Sequence, residues 1–196
     1  MAFKPFSDEA LEHLVRLQLD SVDLRVVTHE GVQKEFKESF TWGSIGAYAR
    51  TMAAFANARG GYLIFGVTDR PRIAKGLTES GRQSFDDLDR AKLTNGLNDI
   101  FAPEIHWDSS LYSVGTVTLG LIYVFESDNK PVIARKARQQ QNGNLLEGDI
   151  LYRYNSRTER AKFPEIKRII DDAKYREQRS MMLHIEELVK AGASNA

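Results

Sequence analysis

Ala53-Ala54-Phe55-Ala56-Asn57-Ala58-Arg59-Gly60-Gly61-Tyr62-Leu63-Ile64-Phe65-Gly66-Val67-Thr68-Asp69 holds a complete helix-to-strand transition. Upstream of it, Ile45, Tyr48, Ala49, Met52, Phe55 and Ala56 recur at steps of three and four. Ser44 to Arg59 therefore reads as a helix with one buried face. Gly60-Gly61 ends that helix, because a sharp turn into a strand needs backbone freedom. Tyr62 to Val67 is a short apolar run bounded by turn signals and reads as a buried strand. Gly66 within it lets another backbone approach closely. Phe55 belongs to the core. Asn57, one turn before the helix end, either bonds backbone groups of the turn or faces a ligand.

Outward from this unit, the chain alternates helices and strands. Ser7 N-caps a helix whose stripe is Leu11, Leu14, Val15 and Leu17, so residues 1–25 are expected to be helical. Val32 to Phe40 reads as a strand, with Glu35 and Lys37 on one face and Lys34 and Phe36 on the other. Ile73 to Leu77 reads as a short partner strand and Asp86 to Phe101 as a helix. Ile105 to Val114 and Val117 to Glu126 form an antiparallel pair around Gly115. Pro131 to Ala137 and Ile150 to Asn155 are further strands, separated by a polar loop at Gln139 to Asn144. A last helix runs from near Pro164 to about Val189. The mixture predicts an α+β fold: one mixed α/β domain over residues 26–170, its sheet flanked by helices, with a helical extension at 171–196.

Composition narrows the chemistry. The 196 residues are 42% hydrophobic and 28% charged, which suits a packed domain rather than a disordered chain. The absence of cysteine excludes disulfides, thiolate zinc sites and cysteine nucleophiles, and a reducing cytoplasm is the expected compartment. No apolar run is long enough to span a bilayer, so no membrane partner is expected. Formal net charge is zero, but unevenly spread: acids dominate residues 1–30 and bases dominate 130–168. Arg153, Arg157, Arg160 and Lys162 lie in that basic third. With Arg50, Arg59, Arg70 and Arg72 they form a candidate phosphate track, with tyrosines such as Tyr152 and Tyr154 available either for stacking on bases or for the core. A solvated basic face is the other reading of the same charges.

Glu35 and Lys37 share a strand face, Asp69 follows the next strand, and Glu30 approaches from the preceding turn. If the strands are neighbours, Glu30, Glu35 and Asp69 with Lys37 describe a hard-cation site for Mg²⁺ or Mn²⁺, able to activate water at a phosphodiester. The alternative is a Glu35–Lys37 ion pair and a turn-capping Asp69. The four histidines show no ligand spacing, and no G-x-x-x-x-G-K-[ST] loop is present to cradle a triphosphate. No G-x-S-x-G elbow is present either.

Glu35-Phe36-Lys37, the Ala-Phe-Ala-Asn-x-x-Gly-Gly helix end, Gly66-Val67-x-Asp69 and the late Leu151-Tyr152-Arg153-Tyr154-Asn155-Ser156-Arg157-Thr158 together resemble the Schlafen AlbA family. The motifs extend from about residue 30 to 166, and Asn155 stands where that family usually has glycine. The family is described variously as a DNA-binding domain and, in older naming, as a divergent AAA-type ATP-binding protein. The resemblance implies an AlbA-like sheet and a nucleic-acid partner, RNA or DNA. From Schlafen proteins that cleave RNA it also implies Glu30, Glu35 and Asp69 as an acidic metal-binding trio acting on structured RNA such as transfer RNA. The competing expectations are a non-catalytic binding or regulatory module and an oligomerising scaffold. On the last helix, Met181, Met182, Ile185 and Leu188 form a stripe that calls for a second copy of the chain or a downstream domain.

Overall fold

The computed structural model describes residues 3–20, 23–139 and 144–193. The chain passes through a short helix α1 (Asp8–Glu12), strands β1 (Leu17–Asp20), β2 (Asp23–Val26) and β3 (Lys34–Lys37), helix α2 (Ile45–Asn57) and strand β4 (Gly61–Phe65). Helices α3 (Glu79–Asp86) and α4 (Arg90–Ile100) follow. Next come the short β5 (Phe101–Ala102), the long β6 (Trp107–Val114) and β7 (Val117–Val124), and the short β8 (Ile133–Ala134). Strands β9 (Leu151–Tyr154) and β10 (Arg157–Arg160) form a hairpin before helix α5 (Phe163–Ala193).

The central sheet has the order β3-β4-β7-β6. β3 and β4 are parallel, with Phe36 opposite Ile64, because α2 carries the chain back along one face between them. β7 pairs antiparallel with both β4 and β6. Side-chain alternation then divides the core in two. Leu63, Phe65, Ile122 and Val124 pack with Met52 and Phe55 of α2 and with Leu93 and Leu97 of α4. Phe36, Tyr62, Ile64 and Leu121 pack on the other face with Leu11, Leu14, Val15 and Val26. Glu35 and Lys37 lie opposite Leu63 and Phe65, so they sit on the α2 face, at the free edge of the sheet.

This is the expected α+β architecture, with differences where local pattern misled. Among its described residues the N-terminal segment is helical only over Asp8–Glu12; Leu17 starts a hairpin instead of extending the helical stripe. α3 was not expected, since only Phe85 of it is buried and no apolar stripe marks it. β10 was missed because Arg-Thr-Glu-Arg carries no apolar alternation. Residues 140–143 of the expected polar loop and 194–196 of the extension lie outside the described residues.

The turn between α2 and β4 has no room for a side chain. Gly60 has φ +70°, and a Cβ there would lie 2.7 Å from the Val124 carbonyl oxygen. Gly66, at φ +103°, allows the close approach expected of it: Gly76 N donates to its carbonyl at 3.0 Å. Asn57 takes the backbone-bonding role. Its Nδ2 donates to the carbonyls of Val132 (2.8 Å) and Leu151 (3.0 Å), and its Oδ1 accepts from Val132 N at 2.7 Å. One buried amide thus ties the end of α2 to β9 and to the segment before β8.

α5 docks through Ile169, which packs with Ala58 and Tyr152. Beyond that contact Tyr175, Met181, Met182, Ile185 and Leu188 are exposed. Among the described residues, no helix is long and apolar enough to cross a membrane.

Replacing Asn57 by Ala strands two carbonyls and one amide in the core, at a cost of about 3 kcal/mol. Urea unfolding should show that loss; a change below about 1 kcal/mol would mean that these bonds contribute little to the fold.

Candidate nucleic-acid interface

Arg153 organises the free edge of the sheet. It shares a strand face with the fully buried Leu151, so its side chain enters the protein toward α2, where only 1% of it remains exposed. Nη1 lies 2.8 Å from Glu35 Oε2 and donates to Thr158 Oγ1 at 3.1 Å. Nη2 donates to the carbonyls of Gly31 (3.0 Å) and Lys34 (3.4 Å), and the guanidinium lies 5.0 Å from the centre of the Phe55 ring. Nε has no hydrogen-bond partner among the described residues. The contact to Glu35 Oε2 is one of charge, not a well-directed hydrogen bond. Lys37 Nζ donates to the other Glu35 oxygen at 2.7 Å. Glu35 therefore has a cation at each oxygen.

A cavity of about 150 Å³ opens beside this group, lined by Glu35, Lys37, Arg50, Thr51, Arg153, Ser156 and Thr158, with Ala47 beneath. Its lining thus holds three cationic residues, three hydroxyl-bearing residues and one carboxylate. Burial lowers the pKa of Arg50, opposed by the charge of Asp149 and reinforced by that of Arg160. A second cavity of about 360 Å³ also reaches Arg153 and is lined by Val32, Ala58, Arg59, Tyr152, Tyr154, Asn155, Glu165 and Arg168. In its wall the Tyr154 hydroxyl donates to Glu165 at 2.5 Å and accepts from Lys162 N. Burial and that bond push the Tyr154 pKa up to about 12. Asn155 opens the β9–β10 turn at φ +53°, which explains how it occupies a glycine position: Asn is among the residues that best tolerate this conformation.

The acids expected to converge are kept apart. Glu30 Oε1 accepts from Phe36 N at 2.9 Å. The carbonyls of Gln33 and Lys37 bond into β4, so this N–H faces the free edge, and Glu30 satisfies it. Asp69 is exposed beyond the end of β4 and lines neither cavity. Among the described residues, no group of three or more His, Asp or Glu side chains is placed to hold a metal ion. With Glu35 between two cations and Glu30 spent on the strand edge, these three carboxylates do not fit a divalent-metal trio.

The expected basic track is also rearranged. Arg153 is a buried anchor instead of a surface cation, because strand alternation turns it inward. Arg160 is held by Asp149 at 2.6 Å and donates to Asn144 O at 3.1 Å. Arg72 meets His29 Nδ1 at 3.0 Å, and neither it nor the exposed Arg70 lines either cavity. Arg59 and Arg157 are exposed; Arg157 has only a loose contact with Glu159 at 3.8 Å. Lys162 lies 3.7 Å from Glu159 and 4.8 Å from the centre of the Tyr154 ring. Thr51, Ser156, Thr158 and Arg168 were missed. The hydroxyl-rich Asn155-Ser156-Arg157-Thr158 turn was the available signal for two of them.

A small α+β domain with a cation-lined cleft at a sheet edge is the class that this geometry defines. The family model described as "Schlafen, AlbA_2" matches residues 30–162, and the chain belongs to that family. It is 36% identical over 201 residues to an uncharacterized ATP-binding protein of Ureaplasma parvum, covering 96% of this chain. The chain spans about half the length of that relative, 55%. Among solved structures, it is similar to the DIP2311 protein of Corynebacterium diphtheriae (17% identity, TM-score 0.48, covering 78% of this chain and 30% of that one). It is also similar to the N-terminal domain of an ATP-dependent DNA helicase RecG-related protein from Nitrosomonas europaea. There the identity is 23% and the TM-score 0.37, over 62% of this chain and 80% of that one.

Removing Glu35 while leaving Arg153 buried exposes the strength of the pair. Glu35→Ala should cost about 3–5 kcal/mol, whereas Glu35→Leu with Arg153→Met should recover most of it. Denaturant unfolding of the three proteins checks this; a Glu35→Ala variant as stable as the native chain would contradict it.

Proposed function

We propose that the chain is a nucleic-acid-binding module whose sheet-edge cleft takes a phosphate of the backbone. The observation that carries this reading is the cleft itself. Lys37, Arg50 and Arg153 surround a space that also presents Thr51, Ser156 and Thr158 hydroxyls, a donor set suited to a tetrahedral oxyanion. The exposed Arg157, beside Ser156 in the same turn, adds an outer cation. Membership of the Schlafen AlbA_2 family supports a nucleic-acid partner. Glu35 acts here by holding Arg153 and Lys37 in place, which orients the cations before a ligand arrives.

Metal-dependent cleavage is the alternative reading, with Mg²⁺ or Mn²⁺ and with transfer RNA as the first substrate to try. The commitments of Glu30 and Glu35 argue for the binding module. Loss of function in a Glu35 variant would not distinguish the two, since that change also unfastens Arg153; Asp69→Asn, at an exposed position, is the cleaner test. Separately, we infer that the apolar stripe of α5 beyond Ile169 meets a second copy or a downstream domain, since so many exposed apolar groups on one helix are uncommon. Sedimentation showing a strict monomer would remove the second copy.

Fluorescence anisotropy with labelled RNA and DNA tests the central reading. Affinity should fall steeply between about 50 and 200 mM salt, and Lys37→Ala with Arg157→Ala should lower the salt slope by about two while weakening binding to all sequences alike. An unchanged slope would count against the cleft. Metal-dependent fragmentation of transfer RNA that disappears in Asp69→Asn would replace the binding module with a nuclease.

A further inference from the structure

The larger cavity, of about 360 Å³, combines features that the phosphate cleft lacks. Val32 and Tyr154 give it an apolar wall, and Val32 is 44% exposed with no core role. Arg59 and Arg168 stand at its rim, both exposed. Arg168 also bonds the Tyr152 hydroxyl and covers that ring. Asn155 is exposed at the turn and brings an amide that can both donate and accept. The lining acid, Glu165, is held by the Tyr154 hydroxyl. Arg153, whose buried Nε has no partner among the described residues, lines this cavity as well as the phosphate cleft.

A ligand that satisfies all of these groups has a flat, partly apolar body, a hydrogen-bonding edge and an anionic group. We propose that this cavity is a subsite for one unpaired nucleotide of the bound strand, with its phosphate at Arg59 and Arg168 and its base against Tyr154 and Val32, read at its edge by Asn155. This deepens the nucleic-acid reading and rests on it. The faces of paired bases are hidden within the stack and their Watson–Crick edges are occupied by pairing, so only an unpaired base can lie against Tyr154 and Val32. Both cavities border Arg153 from opposite sides of β9, so a strand bound in the phosphate cleft reaches the subsite by passing around the β9–β10 hairpin. The module therefore prefers nucleic acid with a single-stranded segment over blunt duplex.

Anisotropy with two probes tests this, a blunt duplex and the same duplex carrying a short single-stranded overhang. The native chain should bind the overhang probe at least tenfold more tightly. Arg59→Ala and Arg168→Ala should each remove most of that advantage while changing duplex affinity less than twofold. Asn155→Gly keeps the turn conformation, since glycine suits its positive φ, and removes only the amide. It should abolish any preference among overhang bases without loss of thermal stability. Equal binding of the two probes by the native chain, or equal losses on both in the arginine variants, overturns the subsite and leaves the phosphate cleft standing. No binding of either probe overturns the nucleic-acid reading itself.

Discussion

A buried guanidinium is costly unless its surroundings repay its lost hydration, and the free edge of this sheet is arranged around meeting that demand for Arg153. Its partners come from separate parts of the chain: Glu35 and the Lys34 carbonyl from β3, Gly31 from the turn before it, Thr158 from β10, and the ring of Phe55 from α2. None of these segments can move far without leaving the charge unpaired. The hairpin β9–β10 is outside the central sheet, so this pair, together with the Asn57 bonds to Leu151, fixes where it lies on α2. The edge strand β3 gains a covering on its α2 side, and Glu30 closes one of its free N–H groups.

The same arrangement generates the candidate interface. Glu35 neutralises one charge while Lys37, Arg50 and Arg153 supply three, so the cleft keeps an excess of positive charge. The hydroxyls beside it come from α2 and the β9–β10 hairpin, the two elements that Arg153 fastens together. The larger cavity uses the opposite side of β9, where Tyr152 and Tyr154 alternate with Arg153, and the first turns of α5 that Ile169 docks. In the proposed reading, stability and ligand recognition thus depend on one residue. A carboxylate that looks like a metal ligand in the sequence serves here as the counter-ion of that residue.

The β3–α2–β4 unit was legible in the sequence because two periodicities meet at Gly60-Gly61. The helical repeat ending in Phe55 and the apolar run after the glycines admit few other foldings. Leu17 fits a continuing helical stripe, but Leu17, Leu19, Leu24 and Val26 also fit two short strands, and only tertiary pairing decides between them. α3 and β10 lack apolar pattern altogether; a Thr78 cap that accepts from Gly81 N and a two-residue turn at Asn155-Ser156 were their local marks. At the site, the grouping of Glu35 with Lys37 followed from strand alternation. The burial of Arg153 did not stand out, because a basic residue in a basic segment suggests a surface. The alternation of Leu151 and Arg153 on one face was the signal that it points inward.

The most direct measurement of the account is side-chain and amide NMR of ¹⁵N-labelled protein titrated with a short oligonucleotide carrying a single-stranded end. Shifts concentrated at residues 31–37, 50–59 and 152–168, including the Arg153 Nε–H resonance, are the predicted result. Shifts confined to the face formed by Leu11, Val26 and Tyr123, or to α5 beyond Ile169, would contradict it.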